Sequence, residues 1–217
     1  MTAGTAPGLT LPEELLLLSF DPVTGRRLCR RRFLMYGVAG AVLAELELAG
    51  RIVAEHGRPA VTNPVPPQDP LLAAALASLP PPGKGRGGRG PRTTRWVRTA
   101  SRHLEEPWLR RLVERGALRA ESVKVLGFLP ATRFPAGPAE RTAEARERLA
   151  AAVRTGFPEP RGRALAALLA AIGADRRLFP GPGGRAARRA MRRLVREEWT
   201  ALAVRRNVRQ DQSADGS

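Results

Sequence analysis

Residues 34–50, LMYGVAGAVLAELELAG, decide how the rest of the chain is read. This is the most apolar run in the sequence, yet it holds only 17 residues and includes Glu45 and Glu47. A helix that crosses a bilayer needs roughly 20 mainly apolar residues. A core helix is therefore expected, closing near Ala49 with Gly50 as its C-terminal cap, and any meeting with a membrane is from the side. Around such a helix, 217 residues of which 43% are hydrophobic can build a full core as one domain, or as two small ones. Disorder throughout is excluded.

Working outward, Thr10-Leu11-Pro12-Glu13 has the form of a capping box and opens a short helix through Leu18. Asp21-Pro22-Val23-Thr24-Gly25 reads as a turn, and the basic loop Arg26 to Arg32 leads into the core helix. Beyond it, Arg51 to Ala54 and Val61-Thr62 read as two short strands around Gly57, and Asp69-Pro70 starts a helix that ends before Pro80. Nine of the 13 residues from Pro80 to Arg92 are Pro or Gly, the composition of a flexible loop. Thr94 to Leu104 and Pro107 to Arg115 are expected as two helices, the second ending at Gly116. Val123 to Leu129 and Thr132 to Phe134 flank Pro130-Ala131 and predict a β-hairpin with an apolar tip. Helices over Pro138 to Arg154, Arg161 to Ile172 and Gly184 to about Val208 complete the chain, with Leu165 to Ile172 apolar nearly all round, as in a fully buried helix. The fold class expected is mainly α with small β pieces.

The 37 Lys+Arg outweigh 20 Asp+Glu, for a net charge of +17, and only Lys84 and Lys124 are lysines. Abundant Ala, Gly and Pro point to a GC-rich genome of bacterial type, which explains much of the arginine but not its placement. Between Pro22 and Ala44 there are five basic residues and no acid, from Lys84 to Arg102 seven and none, and from Arg185 to Arg209 nine against two acids. Charge gathered in this way suits a polyanionic partner, whether anionic lipid, phosphorylated lipid or nucleic acid. The plainer reading is a set of solvated helix faces.

Catalytic constellations are scarce. The acidic pairs Glu13/Glu14, Glu105/Glu106 and Glu197/Glu198 are adjacent in sequence, so on a helix their side chains diverge by about 100° and cannot converge on one substrate; capping or surface roles are expected. His103 has no evident Ser or Cys nucleophile paired to it and Cys29 has no neighbouring His. One cysteine forms no internal disulfide, and with His56 and His103 it does not make a zinc site of the usual kind. No enzyme, metal or cofactor is expected. A reducing cytoplasm fits, and Met1 to Gly8 shows no signal peptide. Gly83 to Gly88 contains the spacing G-x-G-x-x-G, but three prolines precede it where a dinucleotide site needs a strand. Arg86 to Gly90 resembles an RGG segment, with a plain linker as the stronger reading. The runs ending Ala49-Gly50-Arg51-Ile52 and Arg115-Gly116-Ala117-Leu118 both read as helix, Gly cap and strand start. A helix followed by a hairpin is also how winged-helix DNA readers are built, which makes a nucleic-acid-binding regulator the alternative.

Four pieces stand in a telling order: Leu9 to Leu18, Gly40 to Ile52, Asp69-Pro70-Leu71-Leu72, and Leu112-Val113-Glu114-Arg115-Gly116-Ala117-Leu118. Spread over roughly residues 9 to 205, they resemble the Golgi phosphoprotein 3 family and its bacterial relatives. The resemblance implies one mainly α domain over 9–207 with a central four-helix core, amphipathic helices around it and a protruding β-hairpin. Residues 1–8 and 208–217 are then disordered termini, and 80–92 is a flexible loop. It further implies a non-catalytic adaptor, cytoplasmic and peripheral on the inner face of the membrane, that binds the headgroup of phosphatidylinositol 4-phosphate or another anionic lipid. By alignment the family's pocket Trp falls at Arg30, an Arg of its long helix at Ala39, and its Arg pair at Arg102 and Glu105, so only Arg102 matches. Arg102, Arg30 and Arg31 are the expected headgroup-binding residues, since a guanidinium binds phosphate in a bidentate way. Phe128, Leu129 and Phe134 are expected to insert among headgroups or to join two copies of the chain. The expected partners are thus anionic or phosphorylated lipid headgroups, with tails of membrane proteins and a second copy of the chain as further candidates and nucleic acid behind them.

Overall fold

The computed structural model describes residues 8–81, 91–125 and 129–215. Thr10 and Glu13 close the expected capping box: the Thr10 amide donates to Glu13 Oε2 at 2.8 Å, and α1 runs over Leu11–Leu18 with its leucines wholly buried. The turn that follows is built on Asp21, whose carboxylate accepts from the Thr24 amide at 2.7 Å and the Val23 amide at 3.2 Å. Those amides hold its carboxyl below the usual range. Gly25 takes φ +63°, and a Cβ there would strike the backbone of Phe134 and Pro135. Only glycine lets these two segments touch, and the Phe134 amide donates to the Gly25 carbonyl at 3.0 Å.

The run that opened the reading is α2, Arg31–Leu48, with every residue from Phe33 to Ala44 buried except Met35. It packs against α1, α4 (Thr93–Glu114), α6 (Pro160–Ala171) and α9 (Trp199–Ala214), and is the axis of the molecule. Its glycines allow the close approach: a Cβ on Gly40 would lie 2.6 Å from Val204 Cγ2 and 2.7 Å from Leu168 Cδ2. Two hairpins lie outside this bundle. β1 (Ile52–Glu55) pairs antiparallel with β2 (Arg58–Val61), and α3 (Pro70–Ala77) follows, capped by Asp69, which accepts from the amides of Leu71 and Leu72.

Three expectations are corrected. The two helices expected around Pro107 are one, α4, with Pro107 inside it. Proline leaves the His103 carbonyl without its helical donor; His103 is exposed, so water can take that place. Trp96, Val97, Ser101, Glu105, Trp108, Leu109 and Leu112 bury one continuous face across the interruption. The hairpin expected to turn at Pro130-Ala131 instead pairs β3 (Glu121–Val125) with β4 (Leu129–Arg133), with Lys124 opposite Pro130. In a two-stranded sheet both strands are edges, where proline's missing donor is tolerated. The single helix expected over 184–208 is two, α8 (Arg185–Glu197) and α9, separated by an extended Glu198. Arg163 holds the corner by donating to both Glu198 and Glu197, which lets α8 lie along α6 while α9 turns onto α2. Helix α5 (Arg141–Arg154) and the short α7 (Asp175–Leu178) complete the set, and Ala164 to Ala171 of α6 are buried all round as expected. Helix α9 continues to Ala214 and buries Asn207, Val208 and Asp211, past the residue at which the domain was expected to close. One apolar cluster runs from Leu11 to Val208. Most of the expected loop, 82–90, lies outside the described residues.

Candidate functional site

Arg98, Arg102 and Glu105 follow one another on α4 at spacings of four and three, which puts them on one stripe of the helix. That stripe faces the start of α2 and the end of α9. Arg98 reaches Asp211 Oδ1 at 3.2 Å and Gln210 Oε1 at 3.0 Å, and its guanidinium lies over the Tyr36 ring at 5.8 Å. Buried Asp211 also takes Arg32 Nε at 2.7 Å and the Tyr36 hydroxyl at 2.9 Å. About two turns along α4 from Arg98, buried Glu105 accepts Arg31 Nε at 3.2 Å, with Arg27 Nη2 at 3.7 Å. Two interior carboxylates thus hold Arg27, Arg31, Arg32 and Arg98 in place. Arg102, exposed between them, has no acid partner among the described residues.

Of the residues expected from sequence, Arg31 comes to the Arg102 stripe through Glu105. Arg30 turns the other way, pairing with Asp215 at 2.6 Å across an exposed contact and lying over the Phe33 ring at 5.7 Å. Ala39 is fully buried and offers nothing to a headgroup. Phe134, expected to be exposed, is turned inward: its ring meets Phe20 at 5.2 Å, and the Arg27 guanidinium lies over both rings at 5.5 and 5.8 Å. Its apolar area is spent on the core, which is where a half-buried aromatic is most stable. Phe128 and the side chain of Leu129 lie outside the described residues.

Between α4 and the β3–β4 hairpin is a groove of about 580 Å³, lined by Arg27, Arg31, Glu105, Leu109, Arg110 and Thr132 among others. Arg110 and the neutralising role of Glu105 and Asp211 escaped the sequence reading, because charge counting along the chain does not reveal pairs that close over large sequence separations. Glu105→Gln is expected to release Arg27 and Arg31 and to raise partition onto anionic vesicles about fivefold, the equivalent of one more arginine at the surface at about 1 kcal/mol. Vesicle sedimentation of the folded variant at fixed salt measures this; unchanged partition would mean that these two arginines do not face the lipid.

Burial pushes the Cys29 thiol up to about 12, so a thiolate nucleophile is not available there at neutral pH. Among the described residues no group of three or more His, Cys, Asp or Glu could hold a metal ion, and no helix is long and apolar enough to cross a membrane.

A bundle wound on one buried helix, with two small hairpins and an arginine-rich surface over the start of that helix, defines a mainly α protein. The chain belongs to the Golgi phosphoprotein 3 (GPP34) family, whose model matches residues 11–210. No curated protein matches it.

Proposed function

We propose that this chain is a non-catalytic peripheral membrane adaptor that binds anionic or phosphorylated lipid headgroups from the cytoplasmic side. The observation that carries this reading is Arg102, exposed on the α4 stripe with no acid partner among the described residues, beside the α2 start where the Arg30, Arg31 and Arg32 side chains are each more than 60% exposed. Family membership supports it. A phosphate arriving at this surface meets Arg102 with no acid partner among the described residues and competes with Asp215 for Arg30 in an exposed pair worth about 1 kcal/mol or less, while Arg31 and Arg32 keep their Nε on buried Glu105 and Asp211. Phosphatidylinositol 4-phosphate is one such headgroup, but Arg30 and Ala39 stand where the family carries its Trp and Arg, so general recognition of anionic lipid is the selectivity proposed. Nothing favours the nucleic-acid alternative: of the two helices that precede a hairpin, α2 is the buried axis of the fold, and α4 commits its face from Trp96 to Leu112 to the core.

Replacing Arg30, Arg31 and Arg102 together by Ala tests the site. Partition onto anionic vesicles is expected to fall at least tenfold, from about 1 kcal/mol for each arginine near the surface, less what Asp215 and Glu105 already take. The melting temperature should change little, since exposed substitutions usually shift stability by less than about 0.5 kcal/mol. Undiminished partition of the folded variant would move the lipid surface elsewhere.

A further inference from the structure

On the other side of the α2 start lies a cavity of about 770 Å³, bounded by the end of α6, by α7, α8 and α9, and by the segment carrying Cys29, Arg30 and Phe33. It shares no lining residue with the groove beside the hairpin. Its charge sets it apart from the interior junctions of the molecule, where arginines are held by carboxylates: Arg111 by Glu13 and Asp69, Arg161 by Glu14 and Glu45, Arg163 by Glu197 and Glu198. Here the one lining carboxylate is Asp175, buried and occupied by Arg192 at 2.7 Å. Arg176, Arg196, Arg205, Arg206 and Arg209 line the same space with no acid partner among the described residues. Arg205 is half-buried, and its nearest polar contact is the Ala171 carbonyl at 3.5 Å. Burial, with Arg209, Arg192 and Arg176 nearby, lowers its pKa, against the opposing pull of Asp175.

The arrangement is also spaced for a ligand. Arg192 and Arg196 stand one turn apart on α8, and Arg205 and Arg209 one turn apart on α9. Such i, i+4 neighbours are about 6 Å apart at their Cβ atoms, close enough for two guanidinium forks to grip one phosphoryl group. Two such pairs line one cavity, and Phe33, Ile172, Val195 and Leu202 give it apolar walls. Its volume is that of a small-molecule site.

We infer that this cavity is a second anion site, centred on α8 and α9 and sharing only Arg30 with the headgroup surface, that binds a compact ligand carrying two or more phosphoryl groups, one gripped by the α8 pair and one by the α9 pair. The ligand is a free polyphosphorylated molecule or a bisphosphorylated lipid headgroup, which share that chemistry.

Calorimetric titration of the full chain at physiological ionic strength with pyrophosphate, and with orthophosphate for comparison, tests this beside sedimentation with vesicles carrying a bisphosphorylated headgroup. Pyrophosphate is expected to bind at least tenfold more tightly than orthophosphate, and Arg205→Gln/Arg209→Gln to lose that binding at least tenfold. Vesicle binding lost in the same variant, without pyrophosphate binding, assigns the ligand to the lipid source and keeps the site. If that variant does not unfold cooperatively, Arg196→Gln/Arg206→Gln, both exposed and without acid partners, gives the same reading. The inference is overturned if neither probe binds, if both variants bind as the parent does, or if pyrophosphate binding depends on Arg102 and not on the cavity. In the last case the headgroup surface stands and the second site falls; failure of an Arg31→Ala/Arg102→Ala variant, which leaves every cavity residue in place, to lose anionic vesicles, with pyrophosphate binding intact, has the opposite meaning.

Discussion

Arg111→Met is expected to destabilise the protein by about 3–5 kcal/mol, because it removes one partner from a buried ionic cluster. The Arg111 side chain is only 13% exposed; its Nε lies 3.0 Å from Glu13, its Nη1 2.5 Å from Asp69, and its guanidinium 4.1 Å over the ring of fully buried Trp108. It therefore joins the start of α1, the cap of α3 and the last turn of α4. Without it, Glu13, which is wholly buried, keeps only Arg115 and the Thr10 cap. Methionine restores the stem's volume but not the charge. The melting temperature should fall by about 10 °C, at the 2–4 °C per kcal/mol typical of chains this long. Arg115→Met is the control: that side chain is 46% exposed, and its loss is expected to cost about 1 kcal/mol or less. Equal losses for the two would show that the cluster stabilises by proximity of charge alone and not by burial.

The second large effect is expected at Gly40. Leucine there must displace Val204 and Leu168, whose methyl groups already stand within 2.7 Å of where its Cβ would sit, and so must push α9 and α6 away from α2. Overpacking of this kind costs about 1–3 kcal/mol for a few added methylenes, and four carbons placed at the axis of the bundle should reach the upper end or exceed it. Gly40→Ala should lose much less, since the gain of about 1 kcal/mol in helix propensity offsets part of the crowding. Urea denaturation of the two variants separates these outcomes; a leucine variant as stable as the alanine one would mean that the helices part freely.

The helices legible in the sequence were those whose signals are local. Thr10 and Glu13 announce α1, Asp69-Pro70 announces α3, and the unbroken apolar run announces α2. Where tertiary packing overrides a local rule, the sequence misleads. Pro107 reads as a boundary, but the shared buried face of Trp96 to Leu112 carries α4 through it. Nothing in Glu197-Glu198 signals a break, yet α8 and α9 serve different neighbours and must part there. The acidic pairs show the same limit at the site. Adjacent glutamates do diverge as expected, Glu13 toward Arg111 and Arg115, Glu14 toward Arg148 and Arg161; Glu13 has the capping role expected of it, but both are also buried junctions. The basic segments could be counted from sequence, whereas which arginines remain unpaired depends on where Glu105, Asp175 and Asp211 are folded to.

Membrane binding by charge at the surface is tested most directly by sedimenting the protein with anionic and with neutral vesicles over a series of salt concentrations. Binding is expected on anionic vesicles only, and it should weaken steadily as salt rises, because exposed charges are screened over about 8 Å at physiological ionic strength. Equal binding to neutral vesicles, or binding to anionic ones that ignores salt, would contradict it.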